Sequence, residues 1–207
     1  PLWMRYCAIS PDGTTIAFTY KGDIYTVPST GGRASQITTN PAHDTKPIWS
    51  PDGKKIAFAS DRMGSMDIFE VNKEGGIPKR LTTHSGNETP VAYKDAGHIL
   101  FLANIMPTAE DAQFPSGQFQ QVYEVNTEGG RPILFSSMPM EDISINHTGN
   151  TLLYHDKKGY EDPWRKHHTS SITRDIWLCS LNGNRTFRKQ TAFNGEDRTP
   201  VWASDDK

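Results

Sequence analysis

At 207 residues the chain suits one sizeable domain or a short array of repeats, and its 22 basic and 24 acidic side chains leave a net charge of only -2. No basic stripe speaks for nucleic acid, and no apolar run approaches the roughly 18 residues of a membrane helix, which argues against both kinds of partner. Cys7 and Cys179 fall in strand-like segments, where each is expected to be a small buried hydrophobe rather than part of a disulfide or metal site.

In chain order, the first element is Ser10-Pro11-Asp12-Gly13 running into Ile16-Ala17-Phe18, and the same phrase returns as Ser50-Pro51-Asp52-Gly53 before Ile56-Ala57-Phe58. A phrase repeated at this length marks a repeat array. Ile16-Ala17-Phe18 and Ile24-Tyr25-Thr26-Val27 are short, β-branched and aromatic, and turn residues bound them, as they bound strands. Asp23-Ile24-Tyr25, Asp67-Ile68-Phe69, Gln121-Val122-Tyr123 and Asp175-Ile176-Trp177 each open eight positions before a glycine, at Gly31, Gly75, Gly129 and Gly183. Phe18, Phe58, Phe101 and Tyr154 stand 40, 43 and 53 residues apart, the period of four-stranded propeller blades. No segment shows sustained helical periodicity.

The second unit predicts strand A over Pro47 to Ser50, B over Lys55 to Ala59, C over Asp67 to Val71 and D over Lys79 to Thr82. In that register the blades span 7–41, 47–84, 90–139 and 142–194, and a fifth opens at Pro200-Val201-Trp202-Ala203, covering 200–207. Blade three replaces the tetrapeptide with Tyr93-Lys94-Asp95-Ala96-Gly97, and blade four with Asn146-His147-Thr148-Gly149. The fold class is therefore all-β: an incomplete β-propeller of four-stranded antiparallel blades, four of them plus the first strand of a fifth, in one partial domain over 1–207. The fresh strand at Val201-Trp202 argues against a closed four-bladed ring, since propellers protect their strand edges by radial closure.

The phrase SPDG then IAF, followed by Asp-Ile-aromatic, Gly-Gly and a terminal Leu-Thr such as Leu81-Thr82, resembles the TolB-like propeller repeat. More specific are Trp164-Arg165-Lys166-His167-His168-Thr169 leading into Thr173-Arg174-Asp175-Ile176-Trp177, the opening Leu2-Trp3-Met4-Arg5-Tyr6, and Gly22-Asp23-Ile24-Tyr25-Thr26-Val27-Pro28. These passages look like the N-terminal propeller of bacterial tricorn-like proteases, and the resemblance covers essentially the whole chain. It implies a parent with a PDZ-like domain and a serine peptidase domain of the C-terminal processing type downstream, where the catalytic residues lie. No catalytic residue is carried over. Bacterial members of this look are generally exported, which implies a periplasmic location and accords with a mature start at Pro1. The archaeal tricorn is cytosolic, so the cytoplasm is the alternative.

A repeat carries its own control, because a residue that returns at the same phase in every blade serves the blade. Asp12, Asp52 and Asp95, and likewise Asp23, Asp67 and Asp175, are therefore read as turn and strand-opening residues bonding local backbone. The exceptions are the B–C connections: Phe18 to Asp23 is 5 positions, Phe58 to Asp67 is 9, Phe101 to Gln121 is 20 and Tyr154 to Asp175 is 21. In a four-stranded meander these connections share one face with the D–A connections. Long loops on a rigid scaffold mark binding or domain contact. The blade-three insertion, Asn104 to Gln120, carries Met106, Phe114 and Phe119 with Glu110 and Asp111, and covers a neighbouring domain, lines an entrance or packs on its own blade. The blade-four insertion gathers Tyr160, Trp164, Arg165, Lys166, His167, His168 and Arg174, which suit a peptide carboxylate through charge-assisted hydrogen bonds. The competing reading, and the preferred one, is that they pin a long loop to the scaffold.

His167 and His168 lack the convergent third and fourth ligands of a zinc site, and neither a metal nor a cofactor is expected. There is no GxSxG elbow, and Ser170 and Ser171 have no recognisable orienting partner. The expected function is a non-catalytic propeller portion of a tricorn-like serine peptidase, gating or channelling peptide or unfolded-protein substrate, with the downstream domains and a homo-oligomer as further partners. The alternative is a TolB-like protein-binding scaffold of the cell envelope. A propeller glycosidase would need two carboxylates converging at the axial mouth, and recurring blade aspartates make weak candidates for them.

Overall fold

The computed structural model describes residues 3–104, 120–157, 172–203 and 206. They form four four-stranded sheets, each in simple meander order, with no helix among the described residues. The first sheet holds β1 (Arg5–Ile9), β2 (Thr15–Tyr20), β3 (Asp23–Pro28) and β4 (Ser35–Gln36), and the second β5 (Asp44–Trp49), β6 (Lys55–Ser60), β7 (Asp67–Asn72) and β8 (Lys79–Arg80). The third holds β9 (Glu88–Asp95), β10 (His98–Ala103), β11 (Gln121–Asn126) and β12 (Ile133–Ser136), and the fourth β13 (Met140–Ile145), β14 (Thr151–Asp156), β15 (Ile176–Ser180) and β16 (Thr186–Lys189). Each sheet is a propeller blade with its strands A to D in chain order. The chain divides into two compact units, one built on the first three blades and the other on the fourth and the residues after it.

The repeated phrases are legible as hydrogen bonds. Asp52 Oδ1 accepts from Ser50 Oγ at 2.7 Å and Lys54 N at 3.1 Å, while Ser50 Oγ accepts from Lys55 N at 2.9 Å. The same three bonds recur at Asp12 with Ser10, Thr14 and Thr15, at 2.6, 3.0 and 3.0 Å. The Ser10 hydroxyl above all, then Thr14, holds the Asp12 carboxyl down to about 2. In blade four Asn146 Oδ1 does this work alone, accepting from Asn150 N and Thr151 N at 3.1 and 3.0 Å. Next to each turn, the B and C strands pair an aromatic with an aromatic: Phe18 with Tyr25 and Phe58 with Phe69, their rings stacked at 5.9 and 6.1 Å. The terminal Leu-Thr signature also has a cause, since Thr38, Thr82 and Thr191 Oγ1 accept from Ile24 N, Ile68 N and Ile176 N at 3.0, 2.9 and 3.1 Å. A side chain there continues the C–D ladder after the strand has ended. Gly75 is required twice: its φ is +93°, and a Cβ would lie 3.3 Å from the Ile37 carbonyl of the preceding blade.

In the first unit the blades pack face to face, and alternation along β6 shows how. Ile56 and Phe58 join Ala17, Ile24 and Trp49 on the blade-one side, while Ala57 joins Ile68, Tyr93, Phe101 and Tyr123 on the blade-three side. Every residue of β6 from Ile56 to Ser60 is buried, and Ile56 to Ala59 reads as a continuous apolar run. The A strands sit where blades meet: β5 packs against β1, β2 and β3, and β9 against β5, β6 and β7. From β5, from β9 and from the segment at 200–203 an aromatic reaches back and ends in a hydrogen bond. Trp49 Nε1 donates to Ala8 O at 3.0 Å, and Tyr93 OH donates to Glu70 Oε1 at 2.9 Å. In the second unit Trp202 Nε1 donates to Ser144 O at 3.0 Å.

Several expectations need correction. Strand A starts at Asp44, three positions before Pro47, because a bulge between Thr45 and Ile48 carries the pairing past the proline. The bulge recurs at Tyr6, Lys46 and Asp142, all with left-handed φ of 54°, 53° and 49°. Thr199 holds the same phase with φ 54°. The fifth A strand has no ladder partner and none is assigned over 200–203. Its geometry is nonetheless present, since Trp202 makes the aromatic bond and Asp206 N donates to Ala203 O at 3.1 Å, as Gly53 N does to Ser50 O at 2.9 Å. Cys179 is buried as expected, but Cys7 is exposed. Trp49→Phe, which keeps an aromatic ring but strands the Ala8 carbonyl, is expected to cost about 1–3 kcal/mol by denaturant titration; an unchanged midpoint would remove that bond from the account.

Candidate functional site

The B–C connection of the fourth blade is where the predicted binding residues fall. Trp164, Arg165, Lys166, His167 and His168 lie outside the described residues, as do Tyr160, Ser170, Ser171 and, in blade three, Met106, Glu110, Asp111, Phe114 and Phe119. The base of the blade-four insertion is described. There Asp156 Oδ1 accepts from Asp175 N at 2.8 Å, Asp156 Oδ2 accepts from Trp177 Nε1 at 3.2 Å, and Asp156 N donates to Asp175 O at 3.1 Å. The outgoing and returning strands are thus zipped together at the loop's foot.

Arg174, the one predicted binding residue within view, is only 19% exposed and stands between two carboxylates. Its Nη1 meets Glu196 Oε1 at 3.0 Å and its Nε lies 3.6 Å from Glu141 Oε2. Glu141 also accepts from Lys157 Nζ at 2.9 Å and pairs with His155 Nε2 at 3.1 Å. The His155 hydrogen bond, followed by Lys157, holds its carboxyl down to about 2 against the opposing effect of burial. Glu196 pairs in turn with Arg198. The Arg174 charge is therefore answered within the blade, and what the cluster does is brace strand β13 to the returning end of the insertion. That favours the pinning role at Arg174.

Sequence reasoning missed a second set of acids. Asp44 N, Glu88 N and Asp197 N donate to Gly22 O, Met66 O and Arg174 O at 2.7, 2.8 and 3.0 Å, so these acids stand at one phase, at the start of β5, of β9 and of the segment leading to Trp202. The signal was an acid six positions ahead of Ser50, Lys94 and Ala203, a spacing hidden by the divergent turns. Their treatment differs. Asp44 is fully buried and takes Arg62 Nη2 on both oxygens at 2.8 Å, while that guanidinium lies 4.6 Å from the Phe69 ring centre. Glu88 is equally buried, yet neither of its oxygens has a hydrogen-bond partner. Burial first, then the charge of Asp67, pushes its carboxyl up to about 7; Thr82 and Arg80 ease ionisation without reversing that shift. The strand-C acids do not bond local backbone as expected but reach D-strand side chains: Asp23 takes Gln36 at 3.0 Å, Asp67 takes Arg80 at 2.8 Å and Asp175 takes Lys189 at 2.9 Å. Among the described residues no cluster of three or more His, Cys, Asp or Glu is placed to hold a metal ion.

Four-stranded meanders in succession, with aromatics reaching back at Trp49, Tyr93 and Trp202 and B–C connections of unequal length, define a β-propeller scaffold. Among solved structures the tricorn protease matches with a TM-score of 0.70 at 21% identity, over 96% of this chain and 19% of that one. A putative TolB from Agrobacterium tumefaciens matches at 0.66 and 23%, over 98% and 72%. At those identities the likeness speaks to the fold. The family follows from sequence: the model described as the tricorn protease N-terminal beta propeller domain matches residues 1–206, and the chain belongs to that family. Tricorn protease homolog 1 of Streptomyces coelicolor is 25% identical over 206 residues, and the Tricorn protease homolog of Saccharolobus solfataricus 27% over 210. The chain spans 18% of the length of each.

Glu88 supplies a pH test. Its folded pKa stands above the ordinary 4.5, so the stability tied to the protonated acid is complete below that value and is lost as pH rises through 7. Glu88→Gln, permanently neutral, should gain about 1–3 kcal/mol over the parent at pH 8 and much less at pH 5 in denaturant titrations. A pH-independent difference would show that the carboxyl titrates normally.

Proposed function

We propose that this chain is the non-catalytic N-terminal propeller of a tricorn-like serine peptidase and that it gates or channels peptides toward a peptidase domain in the same parent. The observation that carries this reading is the family match over 1–206, set against relatives more than five times longer. The chemistry then belongs to the remainder of the parent, with PDZ-like and peptidase domains as neighbours and peptide or unfolded protein as substrate. An exported, periplasmic location accompanies the reading, with the cytoplasm as alternative. A TolB-like scaffold without a linked enzyme is the competing role; the TolB likeness supports the shared fold and adds nothing specific to that role.

On this proposal Trp164, Arg165, Lys166, His167 and His168 receive the peptide carboxylate, while Arg174 anchors the loop that presents them. Gating is tested in the parent protein by comparing kcat/KM for long and short peptides of the same scissile sequence, before and after removal of residues 1–207. Loss of the length discrimination with retained cleavage of the short peptide supports a gate. Unchanged discrimination rejects it. Replacing both Trp164 and Arg165 by alanine should weaken peptide binding about tenfold or more with Tm nearly unchanged; a large fall in Tm with intact affinity would assign them to the scaffold.

A further inference from the structure

The first unit contains a cavity of about 420 Å³ on the loop face, between blade one and the segment leading into blade two. Its volume lies within the roughly 300–1,000 Å³ of small-molecule sites. Trp3, Arg5, Thr19, Lys21, Pro41 and His43 line it, and no carboxylate does. The cleft exists because the B–C connection of blade one is only Lys21-Gly22, a two-residue hairpin turn with φ of 51° and 90°. In blade two the longer connection places Arg62 over the sheet instead.

Two features separate this cleft from an ordinary crevice. Arg5 and Lys21 are in no ion pair among the described residues. Arg5 lies 5.3 Å from the Trp3 ring centre, and Lys21 Nζ lies 5.5 Å from that of Tyr20. Asp44 is engaged with Arg62 and Asp23 with Gln36, while Asp61 accepts from the backbone N of the lining residue His43 at 2.7 Å. The other feature is Thr19, 4% exposed, whose Oγ1 is buried without a hydrogen-bond partner. Thr19 is the cross-strand partner of Arg5, so the two side chains share one face of the β1–β2 pair. A buried hydroxyl without a partner is costly unless something meets it.

We propose that this cleft binds a small carboxylate with an aromatic or aliphatic flank, the carboxylate held by Arg5, Lys21 and the Thr19 hydroxyl and the flank lying against Trp3 and Pro41. The planar guanidinium, pre-oriented by the Trp3 ring, offers the paired donors a carboxylate takes. The site is independent of the blade-four insertion and of the peptide-gating reading.

The test is calorimetric titration of the intact protein at low salt with N-acetylphenylalaninate, its neutral primary amide, and inorganic phosphate. The acid should bind about tenfold or more tightly than the amide and than phosphate, and Arg5→Ala should weaken it by a similar factor. Thr19→Val should also weaken the acid several-fold while leaving Tm equal or raised, because a methyl group replaces a hydroxyl that the free protein leaves unpaired. This second variant keeps the test decisive if Arg5→Ala folds poorly. Equal binding of acid and amide, phosphate binding as tightly as the acid, no acid binding up to about 10 mM, or unchanged affinity in Thr19→Val would each overturn the assignment.

Discussion

The constraint on which the rest depends is the aromatic that β5, β9 and the segment at 200–203 each send back to the blade before them. Trp49 and Trp202 both end on a backbone carbonyl one strand away, and Tyr93 ends on Glu70, itself paired with Lys55. A buried indole or phenol is stable only when its polar tip is met. The same side chain therefore contributes apolar area to the joint and fixes the register of one A strand against its neighbour. The bulges belong to the same arrangement. The left-handed residues at Tyr6, Lys46 and Asp142 give β1, β5 and β13 their extra residue and stronger twist, Thr199 takes the same backbone conformation, and the four meet in two pairs. Lys46 Nζ lies 5.8 Å from the Tyr6 ring centre, and Thr199 donates to Asp142 at 2.9 Å.

With the scaffold fixed in this way, the loop face handles its buried charge case by case. Asp44 has one arginine nitrogen on both its oxygens, Glu141 has a lysine, a histidine and an arginine, and the two Glu88 oxygens have no hydrogen-bond partner. An ion pair in a buried setting stabilises only when it is completed, so the three sites should differ in how they respond to pH and to substitution. The short hairpin of blade one leaves space at the same face, and two cations there answer to no acid.

Much of the fold was legible because it is written in side chains that repeat. The Ser-Pro-Asp-Gly turns, the paired aromatics of strands B and C and the Leu-Thr closure each place a recognisable residue where a bond or ring contact is made. The A-strand starts were not legible. Tyr6, Lys46, Asp142 and Thr199 share a backbone conformation and no chemistry, and Pro47 reads as a strand boundary although the bulge accommodates it. Nor could the reach of Trp49 be read, since its acceptor is a main-chain carbonyl 41 positions away. At the candidate site, the basic character of Arg174 was visible, while its partner Glu141 lies on a strand before the turn that Asn146 opens. Asp44 and Glu88 were not singled out from the sequence because nothing local to them signals burial.

The family assignment fits this division of labour: repeated residues hold blades together, and the unequal loops are left for recognition. The most direct measurement of the central claim is hydrogen exchange of the Trp49 indole N–H in the native protein. A proton bonded to the Ala8 carbonyl within a packed joint should exchange only through large-scale opening, with protection matching that of the β6 amides. Exchange at the rate of an exposed indole would show that the aromatic does not hold one blade to the next.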